Sequence, residues 1–104
     1  MKLIAQNAPR LLLTVDKKAK VWQPSFLPSE HLDADWEGTI KDSLASGKGR
    51  IAYFYQRSNI LGVFEGNLEK GYAHGYGIFT FSDRTQVMGN FEYGELNGYG
   101  KIVY

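Results

Sequence analysis

Cysteine is absent from this 104-residue chain. That excludes a disulfide framework, a thiolate nucleophile and cysteine-based zinc sites, and it fits a reducing compartment. Net charge is nearly absent too. Twelve Lys and Arg against eleven Asp and Glu leave +1, so no overall field draws the chain to nucleic acid or anionic lipid. Long apolar runs are also missing. Met1–Ala5 opens as a secretory leader would, but the run breaks at Gln6-Asn7, short of the roughly 7–15 apolar residues a leader needs. No stretch approaches the roughly 18 apolar residues of a membrane span. These absences predict a soluble, cytoplasmic chain with room for one small domain, which buries only about 60–70% of its unfolded surface.

Glycine is missing from one part of the chain only. The first 37 residues contain none, and all twelve lie at or after Gly38. Aromatics follow the same divide, with only Trp22 and Phe26 before Trp36. What fills the rest is a repeat. Gly66, Gly71, Gly75 and Gly77 recur 23 residues later as Gly89, Gly94, Gly98 and Gly100. Gly38, Gly47 and Gly49 precede Gly66, Gly75 and Gly77 by 28. The five extra residues are assigned to a loop at Tyr55–Leu61, where insertion costs little. The repeats therefore run over about 36–62, 64–86 and 87–104, behind an N-terminal segment 1–34 of ordinary composition.

Within each repeat the residues alternate with a period of two. One face of the first strands carries Trp36/Gly38/Ile40, Phe64/Gly66/Leu68 and Val87/Gly89/Phe91. In the second strands it carries Gly49/Ile51/Tyr53, Gly77/Phe79/Phe81 and Gly100/Ile102/Tyr104. This is the pattern of half-buried antiparallel strands. A glycine recurring at one place in a strand makes room for a ring from a neighbouring strand. Glu69–His74 and Glu92–Asn97 suit turns. The expected fold is all-β: a short antiparallel hairpin array forming a single-layer, elongated twisted sheet. Arg10–Val15 and Ala19–Trp22 read as one further hairpin that caps the first repeat, with Pro24 and Pro28 breaking the chain after it.

Trp36-Glu37-Gly38 and Phe64-Glu65-Gly66, each followed nine residues on by Gly47-Lys48-Gly49 or Gly75-Tyr76-Gly77, resemble the MORN (membrane occupation and recognition nexus) repeat. His74 before Gly75 also matches that family's pattern. The resemblance spans roughly residues 35–104. It departs at the long first loop and at Val87-Met88-Gly89, which lacks the leading aromatic. What it implies is a hairpin array used as a scaffold, a dimerisation module or an accessory beside a catalytic domain, with membrane association in some members.

Catalytic chemistry finds no support. His74 occupies a turn position that is Asn97 in the next repeat, which marks it as structural. His31, with Glu30, Asp33 and Asp35, lacks the spacing and turn glycine of a calcium loop and reads as solvated linker charge. The Gly-x-Gly pairs precede strands rather than helices, so they are not dinucleotide loops. No nucleophile elbow occurs. The chain is read as non-enzymatic, with no cofactor and no metal. Tyr76 and Tyr99 beside Lys48, Arg50 and Lys101 suggest base stacking on a sheet, but Glu37, Glu65, Glu69 and Glu92 share that face and no nucleic acid is expected.

The reading that remains is a protein-binding and assembly module. Arg50, Tyr76, Ile78, Met88 and Tyr99, on the face away from the core, are the candidate contact residues, being of types favoured at interfaces. The last strand, with Ile102 and Tyr104, is a candidate edge for pairing with a second copy as a homodimer. The alternative is binding to a phospholipid surface. The lack of a basic amphipathic helix, and of any basic cluster beyond Lys17, Lys18 and Lys20, disfavours it.

Overall fold

A computed structural model of the chain describes residues 11–23, 27, 32–55 and 59–104, apart from the side chains of Gly98 and Tyr99. The leader-like Met1–Ala5, Pro24, Pro28, Glu30, His31 and the middle of the 55–61 loop lie outside the described residues. Eight strands follow in order among the described residues: β1 (Leu11–Leu13), β2 (Lys20–Trp22), β3 (Asp33–Lys41), β4 (Leu44–Tyr55), β5 (Asn59–Glu69), β6 (Tyr72–Phe81), β7 (Gln86–Glu92) and β8 (Glu95–Val103). No helix among the described residues is long and apolar enough to cross a membrane.

Strands β3 to β8 form a continuous antiparallel meander in which each pairs with the next. Pairs β3/β4, β5/β6 and β7/β8 are the hairpins of the three repeats, so the array is all-β as expected. Each hairpin closes through two residues with positive φ: Asp42-Ser43 (52° and 65°), Lys70-Gly71 (50° and 83°) and Tyr93-Gly94 (49° and 82°). Positive φ at both central positions marks the type I′ turn, whose twist matches that of the flanking strands. The first turn has serine where the other two have glycine, so the 23-residue pattern hides it.

The glycines form a line. Gly38 pairs with Gly49, Gly49 with Gly66, Gly66 with Gly77, Gly77 with Gly89 and Gly89 with Gly100. One row of six glycines therefore crosses all three repeats. Over that row, on the core side, lie large side chains. A Cβ at Gly38 or Gly49 would overlap the Trp36 ring, one at Gly77 the Phe64 ring, and one at Gly100 the Leu96 side chain. Phe64 in turn meets Phe91 edge-on at 5.2 Å between ring centres. Glycine is here a packing requirement: the rings fill volume that any side chain would take.

The core collects on this face. Trp36, Ile51, Tyr53, Phe64, Leu68, Phe79, Val87 and Phe91 are buried, together with Ala45 and Leu96, which the alternation did not single out. The N-terminal hairpin β1/β2 supplies Leu12, Ala19 and Val21 to the same cluster. It is tied down by backbone bonds from Lys20 N to Ser43 O (2.9 Å), Trp22 N to Gly71 O (2.8 Å) and Val15 N to Ala34 O (2.9 Å). The segment therefore touches the first and second repeats. Its own turn is held by Asp16, whose carboxylate accepts from Thr14 Oγ1 (2.6 Å) and Lys18 N (3.0 Å). These bonds, the Thr14 hydroxyl first, hold the Asp16 carboxyl below its ordinary range.

Three expectations are corrected. Ile40 is not core; it is 40% exposed, because β3 is the first strand of the meander and has no preceding repeat to cover that position. The five extra residues of the first repeat do not simply enlarge a loop. Phe54 pairs with Ile60 and Tyr55 with Asn59, past an irregularity at Tyr53/Phe54, so they mostly lengthen the β4/β5 ladder that joins the first repeat to the second. The array is also not elongated, with extents of 34 × 26 × 23 Å. Six strands at about 4.8 Å spacing span roughly the length of one ten-residue strand.

Candidate binding face

The face away from the core is organised by the same register. Glu37, Arg50, Glu65, Ile78, Met88 and Lys101 stand opposite one another across consecutive strands as a single cross-strand row. A second row, on the other side of the glycine line, carries Lys48 opposite Asn67 and Tyr76 opposite Asn90. Between the rows the glycines present only backbone on this side, so the surface sinks. The result is an open trough of about 560 Å³ lined by Glu37, Lys48, Arg50, Glu65, Asn67, Tyr76 and Ile78 over Gly49 and Gly66.

Three of the residues singled out from sequence, Arg50, Tyr76 and Ile78, line this trough. Tyr76 is 57% exposed and Arg50 is exposed, while Ile78 is half-buried. Met88 continues the row next to Ile78 and is half-buried. The Tyr99 side chain lies outside those described. Ile102 is placed elsewhere: it is partly buried and packs against the core from the opposite face. Tyr104 follows the end of β8 and is 93% exposed. Glu37 and Glu65, expected on this face, and Asn67 join the same walls; that they meet in a trough is a product of register between strands and leaves no mark in any one of them.

A second feature has no sequence period. At the turn ends of the repeats, Trp22 stacks on Tyr72 (ring centres 5.0 Å apart, planes within 9°), and Tyr72 meets Tyr93 edge-on at 5.6 Å. His74 lies 5.7 Å from Tyr93, with Nε2 3.4 Å from Glu69 Oε2. This aromatic file binds the N-terminal hairpin to the repeats. Among the described residues no three His, Asp or Glu side chains converge as metal ligands. Among the described residues the one strongly displaced titratable group is Tyr53, whose phenol burial pushes far up in pKa, with its hydroxyl donating to Trp22 O at 3.3 Å. It belongs to the core rather than the trough.

Comparison with known protein families matches the MORN repeat to residues 64–86 and 88–104. No curated protein and no solved structure matches the chain significantly.

Proposed function

The chain is a MORN-repeat protein by its second and third units, and from that premise we propose that it is a non-catalytic module that binds a protein partner and assembles with copies of itself. The observation that carries the reading is the trough over the glycine line. Its floor is backbone and its walls combine an exposed tyrosine, an isoleucine and charges of both signs. An exposed aromatic beside an arginine is the composition of a protein contact. Glu37 and Glu65 on the same walls oppose phosphate-rich surfaces, which need a surplus of positive charge. Self-association is assigned to the outer edge of β8, which pairs with no strand among the described residues and carries Lys101 as its one charged residue after Glu95. Open edges of this kind recruit further strands. The lack of cysteine supports action in the cytoplasm.

The test compares the chain with Arg50→Ala/Tyr76→Ala, both exposed positions whose replacement leaves the melting temperature in place. Proteins captured from the source organism's lysate by the parent and lost by the double variant support the reading. Equal capture by both, or co-sedimentation with anionic vesicles that the double variant abolishes, overturns it.

A further inference from the structure

Over Gly47–Tyr53 and Gly75–Thr80 the two internal junctions between repeats, β4 to β5 and β6 to β7, run in straight register and repeat one pairing scheme. Gly47 faces Leu68, and Gly75 faces Phe91; Gly49 faces Gly66, and Gly77 faces Gly89. Next in line, Arg50 faces Glu65; then Ile51 faces Phe64, and Phe79 faces Val87. In each junction a glycine of the outgoing strand stands beside a large apolar residue of the incoming one. Leu68 and Phe91, so placed, are each 3% exposed.

Strand β3 carries the incoming half of this scheme with nothing before it. Ile40 holds the position of Leu68 and Phe91 yet is 40% exposed, and no strand pairs with the outer edge of β3 among the described residues. Strand β8 carries the outgoing half, Gly98 to Ile102, with its outer edge likewise unpaired among the described residues.

We propose that these two edges fit each other: β8 of one copy adds to β3 of a second copy, head to tail, with Gly100 opposite Gly38. That register continues the glycine line from one molecule into the next. It sets Gly98 against Ile40, where the internal junctions set glycine against Leu68 and Phe91. It sets Lys101 against Glu37, an opposite-charge pair at the position of Arg50 and Glu65, and Ile102 against Trp36 at the position of Ile51 and Phe64. The pairing stops short of Ala34, whose carbonyl already accepts from Val15 N. A two-fold pairing of two β8 edges through Gly100 would instead place Lys101 against Tyr99 and leave Ile40 and Glu37 uncovered. A head-to-tail contact of this kind leaves one free edge at each end of a pair, so it propagates from copy to copy, as an open string or as a ring where the rotation closes. This inference rests on the self-association proposed above and names the surface that completes it.

The chain has no cysteine, so Glu37→Cys and Lys101→Cys each introduce a single thiol. Residues directly opposite on antiparallel strands bring their Cβ atoms to about 4.5–5.5 Å, close enough for a disulfide after small adjustment. Under mild oxidation at several hundred micromolar, a mixture of the two variants is expected to give a 37–101 crosslinked dimer, and the Glu37→Cys/Lys101→Cys chain a ladder of multimers. Sedimentation is expected to show association weakened about fivefold by Glu37→Lys and restored by Glu37→Lys/Lys101→Glu. Efficient crosslinking of Lys101→Cys alone, with no effect of Glu37→Lys, overturns the head-to-tail contact and leaves self-association standing. A parent chain that stays monomeric at these concentrations overturns both.

Discussion

Replacing Gly77 by alanine adds one methyl group where the Phe64 ring now lies. The new Cβ would overlap Phe64 Cζ and stand 3.2 Å from Glu65 O. The ring has nowhere to go: it is buried, and Phe91 meets it edge-on at 5.2 Å. Forcing extra volume into a filled core costs about 1–3 kcal/mol. Alanine recovers roughly 0.5–1 kcal/mol of the chain entropy that glycine loses in a strand. The difference spans about 0–2.5 kcal/mol and centres on a loss of about 1 kcal/mol, which for a domain near this size lowers the melting temperature by roughly 4–8 °C. The assay is thermal and urea unfolding of Gly77→Ala, Phe64→Leu and the double variant. Shortening the ring makes room for the methyl, so the double variant is expected to recover at least about 1 kcal/mol relative to the sum of the singles. An unchanged melting temperature for Gly77→Ala, or singles that add within about 0.5 kcal/mol, would show that the ring does not depend on the missing side chain.

Further outcomes are expected elsewhere. Gly71→Ala and Gly94→Ala both place alanine at positive φ (83° and 82°), at about 1–2 kcal/mol each. Gly71→Ala is expected to cost more in urea unfolding, since its Cβ also meets Lys20 O at 3.2 Å and Trp22 at 3.3 Å, whereas Gly94 has only Tyr72 at 3.6 Å. Removing residues 1–30 strips Leu12, Val21 and Leu27 from the core and is expected to give aggregation on purification; a soluble, cooperatively melting remainder would assign the N-terminal hairpin another role. Burial holds the Tyr53 phenol protonated well above its ordinary value. The unfolded chain therefore releases that proton first, and stability falls as pH rises beyond about 10, by up to about 1.4 kcal/mol per unit. Tyr53→Phe is expected to flatten that alkaline decline in pH-dependent urea titrations.

The repeat was legible because glycine spacing and ring packing are one fact seen twice. The 23-residue period relates Gly66 to Gly89 and Gly77 to Gly100, and the register sets each such pair two strands apart with another glycine between them. What stayed hidden depends on relations that spacing does not carry. Ile40 has the same local pattern as Leu68 and differs only in lacking a neighbouring strand. Asp42-Ser43 adopts the positive φ of the glycine turns without a glycine to announce it. Trp22 finds Tyr72 from outside the repeats. Of the candidate contact residues, Arg50, Tyr76 and Ile78 meet in one trough because straight register aligns them. Ile102, of the same alternation that buries Ile51, turns toward the core.

The turns carry one more relation. Gly71 N donates to Ala45 O (2.9 Å), and Gly94 N to Ala73 O (3.0 Å), so the tip of each later hairpin is anchored on the second strand of the hairpin before it. The dependence runs one way along the chain. During synthesis, where the N-terminal part emerges first, each tip meets an acceptor that is already in place. The order of translation is thereby the order in which the hairpins find their anchors, and a chain refolding from full length has to recover that direction without the ribosome to impose it.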